Sequence, residues 1–324
     1  MQEWITWLRT PAYTTIRQWL LKMGLYKLER PKSSPNGWFF IIDTSIQMGP
    51  QKVVVILGVK KLNSNQNFHP NFEEVEPLVL APLYNCPGVV INELLEKAIT
   101  AVGVPPIAII SDQGSELKKG ARLFSEKHPT TIHLFDISHK INSCLKKELS
   151  SDSVWLALKT SSSEAIQKLK LSPAAYLAPP KQRTKDRMHS AFPLIDWAVK
   201  LLKLINTRKI DDLNLEEKNK VNWIQKYQFD LPYLAQLKEM SKIALDVVHE
   251  QGYHRNIGDE YLKRVTHINL IEKRSIEFCK KIKNLLDEEG KKVPETERYL
   301  GSSEVIESLF GKFKALEDNH ALLA

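Results

Sequence analysis

Cysteine is scarce in this chain. The 324 residues include three, Cys86, Cys144 and Cys279, far apart and with no CxxC pair. That leaves no basis for a disulfide framework or a cysteine-built zinc site, and it fits a reducing compartment. No apolar run approaches the roughly 20 residues of a membrane span. The opening MQEWITWLRT carries an acid and lacks the basic head and apolar body of a signal peptide. Neither GxxxxGK[ST] nor GxGxxG occurs, so nothing points to ATP or dinucleotide chemistry, and His249 and His254 in HEQGYH miss the HExxH spacing of zinc proteases. There is no internal repeat. These absences leave an intracellular protein without a membrane partner.

What is present is basic charge and enough apolar residue for two structural units. Hydrophobic residues make up 43% of the chain and the net charge is +8 with a pI near 9.1, a surplus that favours a polyanionic partner, nucleic acid first. Residues 12 to 28 have helical spacing through Ile16, Trp19, Leu20 and Met23, interleaved with Arg17 and Lys22. They read either as the last helix of a partial helix-turn-helix in a DNA-binding segment over 1–30 or as an amphipathic packing helix. RPKSSPNG reads as a linker. WFFIID and KVVVILGV flank a turn at Gly49-Pro50 and predict a hairpin. VEPLVLAPL holds a third strand, and NELLEKAITAVG is a helix stopped by Gly103. IAIIS is a short buried strand, ELKKGARLFSEKH a helix and TTIHLFD a further strand. Three hairpin-linked strands followed by an alternating α/β segment predict an α/β fold, an RNase H-like mixed sheet flanked by helices. The first part of that core covers 31–142. From 143 to 295 the pattern is helical, an all-helical insertion, and 296–324 returns as the last core helix, capped at Ser302 or Ser303.

Three carboxylates stand out by their settings. Asp43 ends the strand in IIDTSI, Asp112 ends another in AIISDQGS, and SSEVIESLFGKFK offers Glu304 and Glu307 on a helix. Taken singly, a strand-end Asp is usual turn chemistry. Taken together, two strand-end acids and one helical acid are a donor set for hard divalent cations, which take carboxylate oxygens with water and phosphate completing the shell. Two such ions about 4 Å apart serve phosphodiester cleavage. Asp136-Ile137-Ser138-His139 adds an i, i+3 pair at a helix start, either an N-cap with a structural His or an auxiliary pair in which Asp136 sets the His139 tautomer.

These words resemble one family. IISDQGSE is similar to the second-aspartate segment of RNase H-like transposases and integrases, where SDxG is frequent. SEVIESLFGKFK resembles the third-acid helix of mutator-like insertion-sequence transposases, whose TNxIES pattern falls on Glu307 rather than Glu304. Asp136-x-x-His139 resembles the C/D-x-x-H signature of transposases with a helical insertion, mutator and hAT relatives included. The motifs cover roughly 38 to 142 and 300 to 316, and the insertion agrees by position and character.

The resemblance implies a DDE-type DNA transposase. Asp43, Asp112 and Glu307 would be both catalytic residues and ligands to two Mg²⁺ (or Mn²⁺), with Asp136, His139 and Glu304 auxiliary. Its partner would be double-stranded DNA, as transposon ends and as target, bound by a homo-oligomer in a bacterial cytoplasm, at the nucleoid. Backbone-binding cations are expected at Arg17, Lys22, Lys181, Arg183, Lys185, Arg187, Lys312 and Lys314. Trp197 and Trp223 are either core or base-stacking residues. Two rivals stay open: an RNase H-like nuclease without strand transfer, and a catalytically inactive or truncated DNA-binding derivative. The short amino-terminal segment, and a carboxyl end EDNHALLA without a terminating signal, keep the second alive.

Overall fold

The computed structural model describes residues 11–48, 50–61, 68–182, 188–207, 214–270 and 272–311. The chain divides into two compact units, residues 1–136 with 300–324, and residues 137–299. No helix among the described residues is long and apolar enough to cross a membrane.

The first unit is a mixed α/β layer structure. It holds α1 (Tyr13–Glu29), β1 (Trp38–Met48), β2 (Gln51–Lys60), β3 (Val75–Leu83), α2 (Gly88–Val102), β4 (Ala108–Ser111), α3 (Ser115–Lys127) and β5 (Ile132–Phe135). A last helix, which we number α11, spans 304–311. The five strands form one sheet in the order β3-β2-β1-β4-β5. β1 to β3 are antiparallel neighbours, whereas β4 lies parallel to β1 and β5 parallel to β4. The unbroken apolar runs FFII, VVVIL and AII are what a central strand buried on both faces needs. Side chains alternate along β1. Trp38, Phe40 and Ile42 enter a core with Val54, Ile56 and Ile109 that α2 and α3 close through Ile91, Leu95 and Phe124. Those helices approach closely at Gly120, where an added Cβ would lie 2.4 Å from Ile91 Cγ2. α2 stops where the sequence predicts, at Gly103, whose φ of 78° is left-handed and whose N–H donates to the Ile99 carbonyl.

Two segments differ from expectation. RPKSSPNG reads as a linker, yet it is pinned to the first unit. Arg30 donates through Nη2 to both carboxylate oxygens of Glu76 of β3, at 2.6 and 2.7 Å, and the Lys32 N–H donates to Ala101 O. Buried Lys32 also donates through Nζ to the Leu28 and Arg30 carbonyls, satisfying acceptors that a helix end leaves open. α1 buries none of its residues, and Tyr13, Trp19, Leu20, Met23 and Tyr26 are exposed. The packing-helix alternative finds no buried face there.

The second unit contains helices α4 (Ile137–Ser150), α5 (Ser153–Leu169), α6 (Met188–Asn206), α7 (Leu215–Val221), α8 (Leu231–Gln251), α9 (Ile257–Val265) and α10 (Lys273–Gly290). Its one β pairing among the described residues is a bridge between Tyr253 and Tyr299. Tyr253, Tyr261, Phe278, Ile282 and Leu286 are fully buried. Asp152 caps α5 by accepting the Trp155 N–H at 2.7 Å and also pairs with Arg274, whose guanidinium lies 3.8 Å from the centre of the Tyr233 ring. Buried Glu289 accepts from Lys140 Nζ at 2.7 Å and from Lys292 Nζ at 2.8 Å.

Candidate functional site

β1, β4 and β5 run parallel and in register, with Ile42 opposite Ser111 and Ser111 opposite Phe135. One residue further along, each strand ends its apolar run in an aspartate: Asp43, Asp112 and Asp136. Neighbouring strands lie about 4.8 Å apart, so these three acids occupy consecutive positions across the sheet, just past the paired residues of the parallel strands. The register continues into Asp136, whose N–H donates to Ser111 O at 2.9 Å.

Each acid has a distinct setting. Asp43 is buried, on the sheet face opposite the α2–α3 core by the alternation of β1, and its Oδ1 accepts the Thr44 N–H at 2.5 Å. The β1–β2 register shifts between Asp43 and Ile46. Such an irregularity bends the strand locally and can re-aim a side chain, and the pairing with β2 resumes at Ile46. Asp112 is half-buried and its Oδ1 accepts the Gly114 N–H at 2.7 Å, the turn that launches α3. Turn chemistry and exposure of a carboxylate at the edge therefore coexist in Asp112. Asp136 is fully buried, and its Oδ2 accepts both the Ser303 N–H at 2.5 Å and the Ser303 hydroxyl at 2.9 Å.

α11 starts from that anchor. Val305, Ile306 and Phe310 turn into the protein, Glu307 is exposed, and Glu304 is half-buried with its carboxylate 3.8 Å from His69 Nδ1. At 1.5 Å rise per residue, Glu307 lies about 6 Å along the helix from Ser303. The structure thus sets Asp43 beside Asp112 where the β1–β4 pairing stops, but Asp43 does not end its strand as the sequence predicts, because β1 runs on to Met48 against β2; the helix bearing Glu304 and Glu307 is tied to Asp136.

Beside Asp112 opens a cleft of about 650 Å³ lined by Thr44, Lys52, Cys86, Asp112, Ser115 and Glu116, among others. Glu116 accepts the N–H of Gly88 at the start of α2. Burial pushes the Cys86 thiol up, with Lys52 pulling part of the way back, so it stays protonated at neutral pH and supplies no thiolate nucleophile. The chemistry of the cleft is that of carboxylates and one lysine.

The remaining candidates belong to other segments. His139 is half-buried on α4 in the second unit. Arg17 and Lys22 are exposed on α1 and Lys181 is exposed in the second unit; Arg183, Lys185, Arg187, Lys312 and Lys314 lie outside the described residues. Trp197 donates its indole N–H to Leu177 O at 3.0 Å and stands 6.0 Å from Trp223, ring centre to ring centre. That bond gives Trp197 a structural task. The pairing of Asp136 with Ser303 had one sequence signal, a third apolar run ending in Asp, though nothing in the sequence names the partner. No protein-family model matches the chain, and no curated protein matches it.

Proposed function

We propose that the protein is a DDE-type DNA transposase with an RNase H-like core interrupted by a helical insertion. One observation carries the reading: Asp43 and Asp112 follow the last paired residues of the parallel strands β1 and β4, and a helix bearing Glu307 is anchored at Asp136, just past β5. Hairpin-linked β1 to β3 followed by parallel β4 and β5 suit an RNase H-like core, and the helical second unit falls where the family resemblance puts an insertion.

The donor set fits hard divalent cations. Two carboxylates on adjacent strands repel unless a cation sits near, and backbone amides fix one oxygen of each in place. Asp43, Asp112 and Glu307 would hold two Mg²⁺ or Mn²⁺, which when bound activate water and stabilise charge on the scissile phosphate. The sheet edge holds the first two acids rigidly, and Glu307 closes the set from an exposed helix face. The reaction is hydrolysis at a transposon end that frees a 3′-hydroxyl, then attack by that hydroxyl on target DNA, with no covalent protein–DNA link. Duplex DNA is the partner, and a homo-oligomer would hold two ends together.

The test is incubation of the protein with Mg²⁺, a target plasmid and DNA carrying the inverted repeats that flank its gene. Joined products support a transposase. Cutting without joining indicates a nuclease of the same fold, and binding without cutting an inactive derivative.

A further inference from the structure

We propose that Asp136 is a positioning residue, a clasp that holds the third-acid helix in register with Asp112; the catalytic half of this inference rests on the function proposed above. The chain leaves the first unit after Asp136 and re-enters it at Leu300. Everything between is inserted, so chain connectivity alone does not fix where α11 starts. The fixing is done by hydrogen bonds. Ser111 O, one residue before Asp112, accepts the Asp136 N–H at 2.9 Å. Asp136 Oδ2 in turn accepts the Ser303 N–H at 2.5 Å and Oγ–H at 2.9 Å. Ser303 O then accepts the Ile306 N–H at 2.9 Å, the first turn of α11. This short path links the second acid to the helix of the third.

The chemistry suits a clasp. Asp136 is 0% exposed, and Ser302 and Ser303 are 1% and 4% exposed. A buried carboxylate must be met by donors, and here they are the first amide and the hydroxyl of a helix N-terminus, whose dipole favours negative charge. An oxygen that already accepts two hydrogen bonds in a closed setting is a poor candidate for a metal ligand. Asp136 therefore acts on the site through α11.

The experiment compares Asp136→Ala, Asp136→Asn and Ser303→Ala with the parent full-length chain. Asparagine keeps a carbonyl acceptor for Ser303 but cannot replace a carboxylate at a metal, whereas alanine removes both. By amide hydrogen exchange, D136A should speed exchange over 303–310 by about 10-fold or more while D136N stays within about 3-fold, with β1 and β2 unchanged. In single-turnover cleavage, D136A should lose about 100-fold in rate at unchanged DNA affinity, and D136N about 10-fold or less. If D136A does not fold, S303A carries the test, since it keeps the amide bond and loses only the hydroxyl; about 3-fold faster exchange over 303–310 is expected. Unchanged exchange in every variant overturns the clasp. So does D136N as inactive as D136A with exchange unchanged, which would make Asp136 a ligand. If the parent cuts no DNA, the exchange data still decide the clasp, and only the proposed function falls.

Discussion

The three aspartates beside the parallel strands of the sheet unit and the paired acids of the helical unit are held differently. In the helical unit, acids pair with bases: Glu289 with Lys140 and Lys292, Asp152 with Arg274, Glu148 with Lys281, Glu250 with Arg264, and Asp287 with Lys283. In the sheet unit, Asp43, Asp112 and Asp136 each accept a backbone N–H. A lysine or arginine partner cancels the charge it binds. An amide fixes a carboxylate's direction. The first arrangement makes a scaffold. The second orients the three aspartates that we propose belong to, or support, a cation site.

The sharpest break in that comparison is neutralisation. Asp43→Asn and Asp112→Asn should each lower metal-dependent DNA cleavage by about 1000-fold or more, with thermal unfolding nearly unmoved; a variant that lost both fold and activity would make the edge structural. Glu307→Gln should abolish cleavage while DNA binding survives, and Glu304→Gln should only weaken it. The reverse ranking in the same assay would move the third acid to Glu304.

In the helical unit the expected loss is of stability. Glu289→Ala takes from buried Lys140 its 2.7 Å partner and leaves Glu288 at 4.0 Å, at a cost of about 3 kcal/mol, read by denaturant unfolding. The pH dependence follows. Burial disfavours the charge on Glu289, but the combined pull of Lys292 and Lys140 outweighs it and holds the carboxyl below its ordinary range. A depressed folded pKa contributes stability that is full above the unfolded value, about 4.3, and fades as pH falls through the folded one. The parent should therefore lose stability below about pH 4, and Glu289→Gln should flatten that decline in acid unfolding curves.

The smallest effect concerns the basic loop. Replacing Lys181, Arg183, Lys185 and Arg187 with Ala should weaken binding to transposon-end and unrelated DNA alike. The salt slope should flatten by up to about 0.9 for each phosphate that the loop ceases to neutralise. A defect confined to transposon ends would instead show that the loop reads sequence.

Much of the α/β layer was legible in the sequence because it rests on local pattern. Unbroken apolar runs marked β1, β2 and β4, and the two runs flanking Gly49-Pro50 pair as the antiparallel hairpin they predict, although Gly49 itself lies outside the described residues. Gly103 marked the end of α2. Asp43 and Asp112 could be singled out because each closes an apolar run. What escaped was long-range. Nothing near Asp136 names Ser303, since two hydrogen bonds across 167 residues leave no periodicity behind. The composition of RPKSSPNG signals a linker, and composition cannot foresee the Arg30–Glu76 pair that pins it. α1 was misleading in another way. Helical spacing of Ile16, Trp19 and Met23 predicts a buried stripe as one alternative, yet those side chains are exposed.

We propose that Asp43, Asp112 and Glu307 make one metal-dependent cutting centre. Cleavage of DNA bearing the gene's own terminal repeats, by the parent and by Asp112→Asn, with Mg²⁺ and with chelator, tests it most directly. The account predicts free 3′-hydroxyl ends from the parent with Mg²⁺, and none with chelator or from the variant. Equal cutting by parent and variant, or cutting that ignores the chelator, would contradict it.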